Sequence, residues 1–125
     1  MNKNPTNMLT QTQIMDALNR RHSPEKQRLL SEGHVAIAGL GGLGSNVACA
    51  LARIGVGHLH LIDFDVVDIT NLNRQQYFIG QLGMYKTDAL KSLLGQINPY
   101  LDIRTEHPGN QRKSPGTFCR CSHCL

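Results

Sequence analysis

The sequence predicts an α/β fold with a parallel sheet, and three observations carry that expectation. A short apolar run, Val35-Ala36-Ile37-Ala38, opens directly into a turn in which Gly39, Gly41, Gly42 and Gly44 fall within six residues. A stretch with helical apolar spacing follows and ends at Gly55. A second apolar run then closes on Asp63, about twenty residues past the turn, which is the separation of a Rossmann-like unit. Strand, glycine turn, helix, strand and acid together make the fingerprint, whereas the GxGxxG spelling alone also occurs in plain strand-to-helix corners.

Length and charge narrow the classes. The 125 residues allow one domain, and a doubly wound sheet normally takes more. No run approaches the ~18 apolar residues of a membrane span, and the polar residues 1–13 lack the apolar heart of a signal peptide, so a cytoplasmic protein with no membrane partner is expected. Residues 1–103 carry nine Lys or Arg against eight Asp or Glu, and residues 104–125 four against one. The net charge of +4 therefore belongs mostly to the tail. A near-neutral body offers no electrostatic footprint for nucleic acid.

The elements follow in order. Thr10 is a cap for a first helix of about ten residues with Ile14, Met15 and Leu18 on one face. Ser23-Pro24 starts a second short helix that runs to about Glu32 and stops at Gly33. Arg20, Arg21 and His22 between them read as a solvated basic turn. The first strand covers Val35 to Ala38. A helix is expected from near Ser45, with the stripe Val47, Ala48, Leu51, Ala52 and Ile54. The second strand, His58 to Ile62, turns both histidines away from Leu59 and Leu61, and they need no metal to explain them. Residues 66–83 lack a period, are rich in turn formers and form a long loop at the carboxyl edge of the sheet, where ligands of open α/β sheets sit. The next helix has Lys86 in its first turn, carries Leu90, Leu93, Leu94 and Ile97, and breaks at Asn98-Pro99. Residues 100–103 begin a third strand. The resulting division is a helical arm over 1–33, a sheet domain over 34–104 and an irregular Cys-rich tail over 105–125.

These residue types suit a phosphorylated ligand. Glycines let a phosphate approach bare backbone, and the N-terminus of a helix beginning at Ser45 favours an anion. Asp63 is placed to accept from a ribose. A dinucleotide leaves Arg74 and Lys86 without work, while a triphosphate uses both, one as a fork and one as a point charge. Asn71 and Gln75 add neutral hydrogen bonds. Ordinary surface cations remain the alternative for Arg74 and Lys86.

At this point a longer stretch carries a resemblance. GLGGLGSNVACALARIGVGHLHLIDFDVVDITNLNRQQYFIGQLGMYKTDAL, within residues 17–104, resembles the adenylating domain of the ThiF and MoeB family, relatives of the ubiquitin-activating enzymes. NLNRQQYF with RRHSPE upstream points to its ThiF branch. The resemblance implies ATP-dependent adenylation of the C-terminal glycine of a small ubiquitin-like sulfur carrier of the ThiS type, in thiamine biosynthesis. It implies ATP and Mg²⁺ as cofactors, with the Gly39, Gly41, Gly42, Gly44 and Ser45 turn on the phosphates and Asp63 on the ribose. Asp65 falls near the reaction centre, Asn71, Arg74 and Gln75 along the polyphosphate, and Lys86 on the phosphates. It further implies a homodimer in which an arginine of the arm, Arg21 or its neighbour Arg20, reaches the partner's site.

The tail departs from the family pattern. After Arg104 the only acid is Glu106, and aliphatic residues almost vanish. The expectation is a truncated or frameshifted member with apolar helix faces left uncovered, so an inactive nucleotide-binding or dimerising fragment stands beside the enzyme, and a nicotinamide or flavin oxidoreductase behind both. Cys119, Cys121 and Cys124 with His123 have suitable zinc ligands but lack the second paired spacing of a zinc ribbon, and no metal site is assigned. Cys49 reads as a small buried hydrophobe.

Overall fold

The computed structural model describes residues 9–108, which leaves Cys119, Cys121, His123 and Cys124 outside the described residues. Two short helices come first, α1 (Gln11–Arg21) and α2 (Pro24–Glu32). Thr10 and Gln13 cap α1 reciprocally, and Ser23 caps α2 with Pro24 at its first position. Then come β1 (His34–Ala38), α3 (Gly42–Ile54), β2 (His58–Ile62), α4 (Lys86–Ile97) and β3 (Asp102–Glu106). The sheet is parallel in the order β1-β2-β3, with His34 opposite His58 and His58 opposite Asp102.

Alternation along the strands gives the sheet two different faces. Ile37, Leu59 and Leu61 point to one of them and pack with Ala48 and Ala52 of α3 and Leu90 and Leu94 of α4, all buried. Both helices cover this one face because successive right-handed crossovers step in the same direction. Burying a side chain such as Leu61 or Leu90 contributes roughly 1.5–3 kcal/mol.

The other face carries His34, His58, His60, Asp102, Arg104 and Glu106 beside Ala36, Ala38 and Ile62. His34 stacks on His58 with ring centroids 4.0 Å apart, and His58 Nδ1 lies 2.9 Å from Asp102 Oδ2. His60 Nε2 lies 3.0 Å from Glu106 Oε1. The His58 hydrogen bond holds the Asp102 carboxyl below the ordinary aspartate range. Exposed large apolar side chains occur on the helices, at Leu29, Leu43 and Ile54, and in the loop after β2, among them Ile69, Phe78 and Ile79.

Two boundaries differ from the sequence expectation. α3 begins at Gly42, three residues before Ser45, because Gly39 at φ +89° has already turned the chain and the Ser45 N–H donates to the Gly41 carbonyl at 3.0 Å. β3 runs over Asp102–Glu106 and not from residue 100. A turn in which Leu101 N–H donates to Asn98 O delays it, and the strand then continues past Arg104, carrying Glu106 to the end of the sheet opposite Ile62.

The arm is joined to the amino end of the sheet. Gly57 N–H donates to Leu30 O and His58 N–H to Gly33 O, both at 3.1 Å. A Cβ on Gly57 would stand 1.8 Å from Ser31 O, so only glycine permits this approach. Gln27 of α2 is fully buried, close to Gly55 at the C-terminal end of α3.

Candidate functional site

The glycine turn between β1 and α3 sits at the carboxyl end of the sheet. Gly39 continues the ladder by donating to Ile62 O at 2.9 Å and then reverses at positive φ. Gly44 lies so close beneath it that a Cβ would meet Gly39 O at 1.8 Å. The loop therefore folds flat onto the first turn of α3, whose leading N–H groups have no intrahelical partner. These groups and the helix dipole make the head of α3 a place for an anion. Ser45 is fully buried, its hydroxyl donating to Gly41 O at 2.6 Å, so its side chain braces the turn from inside.

Asp63, at the end of β2, stands beside this turn. Its Oδ2 accepts from Leu40 N–H and its Oδ1 from Asp65 N–H, each at 2.7 Å. Each oxygen keeps lone-pair capacity for a further donor.

The stretch after the first 3₁₀ turn (Ile69–Asn71) lies against the same loop. A Cβ on Gly42 would touch Arg74 Cγ at 3.5 Å and Cδ at 3.7 Å, so the arginine stem crosses that glycine. Gln75 brings Nε2 to 3.7 Å from the equivalent point on Gly41. Gln76 N–H donates to Ser45 Oγ at 3.4 Å and its amide bonds to Asn46, which itself donates to Arg74 O at 3.3 Å. Tyr77 donates its hydroxyl to Leu40 O at 2.6 Å. Four consecutive residues thus each meet the turn or the head of α3. Arg74 is exposed and spends one nitrogen on Thr70 O and Asn73 Oδ1, while Gln75 is buried with Oε1 lacking a partner among the described residues. Asn71 turns inward on its own loop, with Oδ1 accepting from Asp68 N–H at 2.9 Å.

Asp65 and Lys86 are joined through the backbone, Lys86 N–H donating to Asp65 O at 3.0 Å. Lys86 is 6% exposed at the first position of α4 and makes no ion pair among the described residues. Its charge reaches Asp68, whose carboxyl is held low first by hydrogen bonds from Thr70 and last by this lysine. The Asp65 side chain is exposed. A short bridge between Val66 and Tyr85, with Val67 N–H on Met84 O at 2.8 Å, ties the loop's two ends together.

Of the residues singled out from sequence, the structure brings the glycine turn, Asp63, Arg74 and Gln75 together directly. Asp65 and Lys86 form a second cluster one loop away. Arg21 is not brought to this turn. It lies one helical turn past Leu18, which approaches Gly55, and the thirteen residues of α3 separate Gly55 from the turn by about 20 Å. Sequence reasoning missed Asn46, Gln76 and Tyr77, whose work is to hold backbone; the one available signal is a polar Asn46 in the first turns of an otherwise apolar helix.

The profile of the ThiF family matches residues 11–113. Ubiquitin-like modifier-activating enzyme 5 of Arabidopsis thaliana is 43% identical over 83 residues, covering 66% of this chain and 19% of that protein. Molybdopterin-synthase adenylyltransferase of Haemophilus influenzae is 44% identical over 80 residues, covering 63% of this chain and 33% of that protein. Among solved structures, the E. coli tRNA N6-threonylcarbamoyladenosine dehydratase TcdA in complex with ATP matches with a TM-score of 0.71 at 34% identity, over 75% of this chain and 39% of that one. The chain spans about a fifth to a third of the length of these curated relatives.

Proposed function

Since the chain belongs to the ThiF family, we propose that it binds ATP along the glycine turn and the Arg74–Tyr77 strap and serves adenylation of a carrier protein's C-terminal carboxylate. The observation that carries this reading is the pairing of Arg74 over Gly42 with the Gln75 Nε2 donor beside Gly41. Both are donors, and phosphate oxygens are acceptors, so a phosphate seated on the turn meets the hydrogen-bonding sense of these two side chains. Such a strap serves a polyphosphate better than the single pyrophosphate bridge of a dinucleotide, and a solved relative holds ATP.

In this chemistry a carboxylate oxygen of the carrier attacks the α-phosphorus, the bond to the β-phosphate bridging oxygen breaks, and pyrophosphate leaves. The chain's part is positioning and charge neutralisation. The head of α3 and the Arg74 fork hold phosphate oxygens, Lys86 adds a point charge from α4, Gln75 Nε2 adds a neutral contact, Asn71 shapes the loop that presents Arg74 and Gln75 rather than reaching the ligand, and Asp63 takes the ribose. Mg²⁺ usually comes with the phosphates and borrows one or two carboxylates. The exposed Asp65 fits that modest demand, and among the described residues no cluster of three ligands competes with it.

The finer reading is a ubiquitin-like sulfur carrier of thiamine biosynthesis as acceptor, with a homodimer supplying Arg21 in trans. The experiment is exchange of labelled pyrophosphate into ATP, with and without Gly-Gly-ended carriers drawn from the thiamine and molybdopterin routes. Exchange that depends on the thiamine carrier supports the reading. ATP binding with no exchange on any carrier leaves a binding module, and a bound dinucleotide in the purified protein overturns ATP altogether.

A further inference from the structure

Tyr77 has no role in the chemistry described so far, and its surroundings supply one. Its ring is buried, and its hydroxyl donates at 2.6 Å to the carbonyl of Leu40, a residue with no exposed surface. Leu40 is held from the other side as well, through its N–H on Asp63 Oδ2 at 2.7 Å. Both backbone groups of one residue in the glycine turn are thereby fixed, one by the end of β2 and one by the strap. Burial, with the Asp63 charge nearby, pushes the phenol above its ordinary value, so it stays a donor through the neutral range. A phenylalanine would fill the same volume, so the ring accounts for packing and the hydroxyl calls for a separate reason.

Resting on the ATP reading above, we infer that Tyr77 is a positioning residue for the triphosphate: its hydroxyl fixes the Leu40 peptide and so holds the leading N–H groups of α3 in the space that Arg74 and Gln75 flank. The three residues before it meet Gly42, Gly41 and the Ser45–Asn46 pair in turn, so Tyr77 closes the strap at the mouth of the loop. An adenosine held through its ribose at Asp63 does not need those N–H groups. A triphosphate does.

The test compares wild type with Tyr77→Phe in the full chain by two readouts, the NMR shift of the Leu40 carbonyl carbon without ligand and calorimetric titration with ATP and with adenosine. The expected result is a Leu40 carbonyl carbon moved upfield in the variant, with ATP affinity about tenfold weaker and adenosine affinity changed less than about twofold. An unchanged Leu40 carbonyl shift, or an equal loss for both ligands, overturns the inference while leaving ATP binding in place. A wild-type chain that binds neither ligand overturns the ATP reading, and the triphosphate role falls with it. Should Tyr77→Phe not fold, wild type alone decides: a Tyr77 hydroxyl proton seen by NMR in slow exchange with water supports the clasp, and one lost to rapid exchange removes it.

Discussion

Asp63 Oδ2 accepts the backbone N–H of Leu40 at 2.7 Å, so the acid that ends β2 holds the turn that follows β1. The same carboxylate accepts from Asp65 N–H at 2.7 Å, which starts the long loop in a fixed direction. Asp63 is thus structural before any ligand arrives, and changing it tests fold and site together.

Asp63→Asn places an NH₂ group against one of two backbone donors. The expected cost is about 1–3 kcal/mol in urea unfolding, together with weaker nucleotide binding. Full stability in the variant would mean that the two hydrogen bonds do not hold the turn.

The two kinds of glycine separate cleanly by substitution. Gly44→Ala drives a Cβ to 1.8 Å from Gly39 O and is expected to destabilise by about 3 kcal/mol or to prevent folding. Gly95→Ala, in the interior of α4 with nothing within 4 Å of the new carbon, is expected to stabilise by about 0.5–1 kcal/mol. Thermal melts of the pair check both signs.

Arg74 is expected to act as a fork as well as a charge. Arg74→Lys keeps the charge and loses the planar pair of donors, so ATP affinity should fall about tenfold in calorimetric titration. Equal affinity in the lysine variant would reduce Arg74 to a screened surface cation.

Arg21 does not reach the glycine turn of its own chain, which makes subunit complementation informative. If the proposed homodimer forms, Arg21→Ala and Lys86→Ala chains, each inactive alone, should recover about a quarter of wild-type exchange when mixed, from the hybrid dimers that retain one intact site. No recovery, with dimers present by sedimentation, removes the in-trans role.

Acid should act on the polar sheet face through Asp102. The His58 hydrogen bond, followed by the charges of His58, Arg104 and His34, holds its carboxyl below the ordinary 3.8. A depressed carboxyl stabilises above its unfolded pKa, and that contribution is lost as pH falls through the folded value. The side chain is 56% exposed, so screening keeps the effect small. Wild type should therefore lose slightly more melting temperature than Asp102→Asn between about pH 5 and pH 3.

Much of the fold is local in origin and was legible in the residues. The caps Thr10 and Ser23-Pro24, the apolar runs of β1 and β2 and the leucine stripe of α4 each declare themselves within a few positions, because capping and amphipathic spacing are short-range demands. The start of α3 was displaced because a glycine run does not reveal where turn gives way to helix. β3 was displaced because parallel pairing with β2, and not its own propensity, decides where that strand begins.

The sequence by itself determined the class of site. Four glycines between strand and helix, an acid at the end of the next strand and the NLNRQQY segment are fixed by covalent order, and they led to the family and to the proposal of a phosphate-bearing ligand. Only the tertiary structure decided how those parts meet. The laying of residues 74–77 on the glycine turn joins chain segments about thirty residues apart through bonds to backbone atoms, which every residue type possesses and no pattern of side chains announces. For the same reason Ser45 became an interior brace, Tyr77 became the clasp on Leu40, and the second sheet face acquired paired histidines and carboxylates that are adjacent only across the register of β1, β2 and β3.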